Sequence, residues 1–173
     1  MNIILLGYMG CGKTFYARKL STIINLPFID FDTLIEQREK KSINKIFHEN
    51  GESYFREIEN NNLSQLLNQN NNFIFATGGG TPCFFNNLDL LNELGLTIYL
   101  KKKPKKLYNF LIKNNYNRPI FNSFKTIEDF FNNFNYREKF YLKSKVIIDC
   151  DNSSNIQILT KINNHYNENR FKK

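Results

Sequence analysis

The chain has 173 residues, 41% of them hydrophobic and 15% aromatic, and a formal net charge of +8. This length supports one domain with a core of its own, and the composition excludes a disordered chain. No apolar run approaches the roughly 20 residues that a membrane-spanning helix needs, so a transmembrane span is excluded and no membrane partner is expected.

Met1-Asn2 leads straight into an apolar run, with no basic stretch and no small-residue cleavage site, which predicts a cytoplasmic protein. Asn2–Leu6 ends at Gly7 and has the pattern of a fully buried strand. Residues 14–25 carry Phe15, Ala17, Leu20, Ile23 and Ile24 at helical spacing, and Pro27 closes that segment. Phe28-Ile29-Asp30 reads as a second strand. Residues 31–68 read as helical, with Ser42 as an N-cap and Gly51 as a C-cap. Phe73-Ile74-Phe75-Ala76 is a third strand that runs into Gly78, Gly79 and Gly80. A short helix near residues 88–94 leads through Gly95 to a strand at residues 96–100, and Pro104 suits the first turn of the next helix. Residues 116–125 are polar and irregular, with Pro119 inside; residues 126–143 are helical again. Val146–Asp149 is the last strand and residues 156–166 the last helix. Short apolar strands alternating with helices predict one α/β domain over residues 1–173, its parallel sheet covered on both faces.

The three cysteines, Cys11, Cys83 and Cys150, lack metal-like spacing, which predicts reduced thiols and neither a disulfide framework nor a zinc site. His48 and His165 have no neighbouring ligand candidates and read as surface or packing residues. The densest basic run is Lys101-Lys102-Lys103 with Lys105-Lys106, and no nucleic-acid-binding signature accompanies it. It reads as a solvated loop and helix start, and no nucleic-acid partner is expected.

Gly7-Tyr8-Met9-Gly10-Cys11-Gly12-Lys13-Thr14 fits the phosphate-binding pattern G-x-x-x-x-G-K-[ST] in full, and it lies between a buried strand and a helix, as the motif requires. Backbone N–H groups of Gly10, Cys11 and Gly12 can turn inward around phosphate oxygens, aided by the field of the helix N-terminus. Lys13 can reach the outer phosphates, and the Thr14 hydroxyl can ligate Mg²⁺. The motif specifies nucleoside triphosphate binding; the acceptor must be read elsewhere. Asp30 and Asp32 flank Phe31 at the carboxyl end of the second strand, on the edge where α/β proteins bind ligands. Spaced by two, both carboxylates can face the phosphates, one supporting Mg²⁺ through water and the other orienting or deprotonating an acceptor hydroxyl. Helix capping by Asp32 explains the pattern equally well.

The stretch Phe28-Ile29-Asp30-Phe31-Asp32-Thr33-Leu34-Ile35-Glu36-Gln37-Arg38 resembles the signature of the shikimate kinase family. So do Ser42-Ile43-Asn44-Lys45-Ile46-Phe47, Gly51-Glu52-Ser53-Tyr54-Phe55-Arg56-Glu57-Ile58-Glu59, the triplet Gly78, Gly79, Gly80, and Asn117-Arg118-Pro119-Ile120. These blocks follow the family's order across nearly the whole chain. The resemblance implies a three-layer α/β/α P-loop kinase fold with a five-stranded parallel sheet in the order 2-3-1-4-5. It further implies a phosphate loop at residues 7–14, a substrate-binding segment at about 31–61 and a mobile lid at about 114–126.

The implied reaction moves the γ-phosphate of ATP, with Mg²⁺, onto the 3-hydroxyl of shikimate. Lys13, Asp32 and Arg118 are the implied catalytic residues. Gly10, Cys11, Gly12, Lys13, Thr14 and Arg118 are the implied ATP contacts, with Thr14 and, through water, Asp30 at the metal. Arg56 and Arg137 would pair with the substrate carboxylate, a task suited to planar bidentate donors. Asp32 would contact the ring hydroxyls, Gly78, Gly79 and Gly80 would bring backbone to the ring, and Phe47 and Phe55 would wall the pocket. Arg137 sits in Tyr136-Arg137-Glu138-Lys139-Phe140-Tyr141, where the family's proline between arginine and tyrosine is missing. Between residues 108 and 115 only Lys113 is basic, and the adenine contact is unassigned. The expected assembly is a monomer. A gluconate kinase-like enzyme would lack the arginine pair, and a P-loop binding module that had lost phosphotransfer would have dropped Lys13, Asp32 or Arg118.

Overall fold

The computed structural model describes residues 1–66, 72–114 and 118–170. Its centre is a parallel sheet of β1 (Asn2–Leu6), β2 (Phe28–Asp30), β3 (Ile74–Ala76), β4 (Gly95–Lys101) and β5 (Val146–Asp149), in the expected order β2-β3-β1-β4-β5. Central β1 is buried along its whole length, pairing Ile3 with Ile74 on one side and with Leu96 on the other. A strand covered on both faces has no use for polar alternation, which is why it reads as an unbroken apolar run.

Helices α1 (Lys13–Ile24), α2 (Phe31–Glu39), α3 (Ile43–Leu66), α4 (Asn87–Leu94), α5 (Pro104–Lys113), α6 (Pro119–Asn122), α7 (Ile127–Tyr141) and α8 (Asn155–Arg170) cover the sheet. Two expected breaks are present. Ser42 Oγ accepts from the Lys45 N–H at 3.2 Å, and Gly51, at φ 79° and ψ 177°, divides α3 into two pieces. Thr126 and Asp129 form a capping box that starts α7. No helix among the described residues is long and apolar enough to cross a membrane.

Two short elements were not expected. Thr81–Cys83 is a 3₁₀ turn closed by Cys83 N–H donating to Gly80 O at 2.8 Å, and α6 folds where an irregular segment was predicted. Pro119 opens α6, where its fixed φ and missing N–H are harmless. Of the expected helix, residues 67 and 68 lie outside the described residues, as do Asn117 and residues 115–116 of the predicted lid. An aromatic block secures α6: the Phe130 ring centroid lies 5.1 Å from Tyr108, 6.2 Å from Phe121 and 6.1 Å from Phe124.

The strand order positions the site. β2, β3 and β1 are neighbours, so Asp30, the glycine triplet and the phosphate-loop sequence all leave the sheet at one edge.

Candidate active site

The loop leaving β1 needs glycine at three points: Gly7 has φ 143°, Gly10 φ 81° and Gly12 φ 104°, positive values that side chains disfavour. Gly12 also caps α1 without any side-chain hydrogen bond, so the first N–H groups of α1 remain available to an anion. Lys13 lies along the loop, its Nζ donating to Gly7 O at 2.8 Å and Tyr8 O at 3.2 Å. Cys11, expected among the nucleotide contacts, does not line the cleft. Its side chain is fully buried, and its N–H donates to Tyr8 O at 3.2 Å.

Beside the loop, Thr14 Oγ1 donates to Asp30 Oδ2 at 2.5 Å. The other Asp30 oxygen accepts from the Thr33 N–H at 3.1 Å, so Asp30, and not Asp32, caps α2. The reason is register: the capping residue must be extended while its side chain reaches the N–H three residues on, and Asp32 already lies inside the helix. Thr14 and Asp30 present two hard oxygens side by side, a donor set that suits Mg²⁺. Among the described residues no group of three or more His, Cys, Asp or Glu can hold a metal. A hard ion bound here would draw its remaining ligands from phosphate and water.

Asp32, freed from capping, faces the cleft and pairs with Arg118 Nη1, which arrives at the start of α6. The second piece of α3 supplies the far wall. Arg56, 4% exposed, donates from Nε and Nη2 to Glu52 Oε1 at 3.1 and 2.7 Å and from Nη1 to Glu59. Its guanidinium also covers the Phe84 ring at 4.4 Å. Glu59 is fully buried and accepts from Thr81 Oγ1 as well. Burial pushes the Glu59 carboxyl up, opposed by the Arg56 charge and the Thr81 hydrogen bond. The Arg56-x-x-Glu59 spacing of one helical turn was the available signal for this pair, which the sequence reading missed.

The glycine triplet lines the cleft, and its missing side chains also serve the protein's own packing. A Cβ on Gly78 would stand 2.7 Å from Glu59 Oε1, and one on Gly80 2.6 Å from the Arg56 guanidinium. At both positions the missing side chain makes room for the protein's own polar groups. At Gly79 a Cβ would lie 3.3 Å from Met9 N and 3.7 Å from Arg137 Nη1. Arg137 is 3% exposed and reaches this point from α7. Phe47 and Phe55 line the cleft together, ring centroids 4.7 Å apart. Met9, Phe15 and Phe110 line it too, unpredicted.

All these groups share one cavity of about 280 Å³, in which Lys13, Arg56, Arg118 and Arg137 face Asp30, Asp32 and Glu59. One end has glycines and a lysine; the other has two buried guanidinium groups. The arrangement can hold a polyphosphate and a small acid within reach of one another.

A family model described as shikimate kinase matches residues 9–167. The shikimate kinase of Flavobacterium johnsoniae is 46% identical over 120 residues, 69% of this chain and 70% of the relative. That of Azobacteroides pseudotrichonymphae is 42% identical over 150 residues, 84% of this chain and 88% of the relative. Among solved structures, shikimate kinase from Acinetobacter baumannii in complex with shikimate has a TM-score of 0.88 at 26% identity, covering 98% of this chain and 94% of that one. Shikimate kinase from Bacteroides thetaiotaomicron has a TM-score of 0.80 at 33% identity, covering 97% of each chain. With a sheet order and a phosphate loop that agree with these likenesses, the chain belongs to the shikimate kinase family.

Proposed function

We propose that this chain is an ATP-dependent kinase whose acceptor is the 3-hydroxyl of shikimate, and that its product is shikimate 3-phosphate. The observation that carries the reading is the pairing, in one cleft, of a complete phosphate loop with Arg56, Arg137 and Asp32. A carboxylated polyol needs such a set: planar cations for the acid and a carboxylate for the hydroxyls.

In this reading the N–H groups at the start of α1 and Lys13 hold the phosphates, and Arg118 leaves Asp32 for the γ-phosphate as the lid, about residues 114–126, closes. The substrate-binding segment, about residues 31–61, brings Asp32, Arg56, Phe47 and Phe55 to the acceptor. Asp32 accepts the proton of the attacking hydroxyl, and Arg56 and Arg137 anchor the carboxylate so that this hydroxyl points along the phosphate axis. Transfer through a loose transition state rests on alignment and charge neutralisation, supplied here by Lys13 and Arg118. Thr14 and, through water, Asp30 would hold Mg²⁺, which would supply positive charge against the phosphates. Closure excludes water, which would otherwise take the phosphate. The chain works as one domain and a monomer in the cytoplasm, without nucleic-acid or membrane partners.

Coupled ADP release with ATP and Mg²⁺ tests this directly. The expected result is release that requires shikimate and falls by about 10²–10³-fold in Asp32→Asn. Release indifferent to shikimate would sink the acceptor assignment.

A further inference from the structure

The Tyr141 hydroxyl donates to the carbonyl oxygen of Gly79. Tyr141 is fully buried, and burial pushes its pKa well above the ordinary tyrosine value, so the group stays a donor at every working pH. The Gly79–Gly80 peptide is trans. In a trans peptide the carbonyl and the following N–H point in opposite directions. With the carbonyl drawn to Tyr141 on the core side, the Gly80 N–H is turned to the other side, where the glycines line the cleft.

This peptide also lies between the two guanidinium groups. Gly79 abuts Arg137 Nη1 and Gly80 abuts the Arg56 guanidinium. Neither glycine has a side chain to resist rotation of the peptide, and the backbone bonds of the turn, Thr81 N–H to Gly78 O at 3.3 Å and Cys83 N–H to Gly80 O at 2.8 Å, leave the Gly79 carbonyl itself to another donor. Tyr141 is that donor. It sits one helical turn after Arg137 on α7, so one helix face delivers both an arginine to the cleft and a hydroxyl to the peptide beside it.

We infer that Tyr141 is a positioning residue for acceptor binding: it holds the Gly79–Gly80 peptide so that the Gly80 N–H stands as a donor between Arg56 and Arg137. The inference rests on the acceptor reading above and adds a residue that touches no substrate.

The test is Tyr141→Phe, which removes one oxygen and keeps the ring. The shikimate KM is expected to rise about tenfold, the ratio given by loss of one hydrogen bond of ordinary net strength. The ATP KM stays near that of the parent chain, while the denaturant midpoint falls because the Gly79 carbonyl loses a buried donor. An unchanged shikimate KM overturns the inference, as does an equal rise in both KM values. Without any ligand, the Gly80 amide resonance is expected to move in Tyr141→Phe; a fixed resonance overturns the inference whatever the acceptor proves to be. Should that variant fail to fold, shikimate added to the parent chain is expected to shift the Gly80 amide, and no shift overturns the inference. A parent chain with no shikimate-dependent ADP release overturns the acceptor reading itself, a result distinct from these.

Discussion

The two ends of the cleft are built by different means. The donor end is a run of consecutive residues, 7–14, in which backbone N–H groups and one lysine do the holding. The acceptor end gathers Asp32 from α2, Arg56 and Glu59 from α3, the glycines after β3 and Arg137 from α7. Arg56 and Glu59 there are buried and paired with each other, and Arg137 is buried beside them, while Lys13 is only partly buried and donates to loop carbonyls. The contrast teaches that a phosphate site can be local and mechanically cheap, whereas a site for a small acid must be woven into the core. Damage at the donor end should cost rate, and damage at the acceptor end should cost rate and fold together.

Arg56→Met gives the hardest trial of that contrast. It strands Glu59 in the core, and leaving one partner of a buried pair uncompensated costs about 3–5 kcal/mol. Denaturant unfolding should show that loss, and Arg56→Met with Glu59→Gln should recover most of it without recovering shikimate turnover. Full stability in the single variant would break the comparison. Lys13→Met comes next. Its kcat should fall about 10²–10³-fold, the usual cost of one transition-state donor, with an unfolding midpoint near that of the parent chain. A matching loss of stability would erase the distinction between the ends.

The smallest effect belongs to a residue at neither end. Backbone hydrogen bonds from Thr126 and Lys125 hold the Asp129 carboxyl below its ordinary range. A depressed folded pKa contributes stability above the unfolded pKa, and that contribution is lost as pH falls through the folded value. Asp129→Asn should therefore lower the unfolding midpoint slightly at neutral pH, and the difference should shrink as pH falls through the folded pKa of Asp129. Shikimate-dependent turnover should stay unchanged throughout.

The same division explains what could be read from the chain. Residues 7–14 were legible because their chemistry is a pattern of neighbours, and β1, β3 and β4 because burial leaves continuous apolar runs. Arg56, Arg137 and the glycine triplet were reachable only through resemblance, since nothing local says which distant elements will meet. Capping by Asp30 and not Asp32 was a question of helix register, which pattern alone leaves open by a residue or two. That Gly78 and Gly80 also make room for Glu59 and Arg56 was not legible, because those residues lie about twenty positions away in sequence. Cys11 was read as a nucleotide contact through its backbone, and that its side chain turns under the loop was not legible from the motif.

The turn α6 is held at its two sides by unlike forces. Arg118 fastens it to Asp32 by a partly exposed ion pair, and Phe121 and Phe124 fasten it to Phe130 by apolar contact. Ionic strength weakens the first and hardly touches the second. Cooling weakens the second, because apolar burial loses its drive as temperature falls. The covering turn therefore answers salt on its cleft side and cold on its outer side, through two separate fastenings.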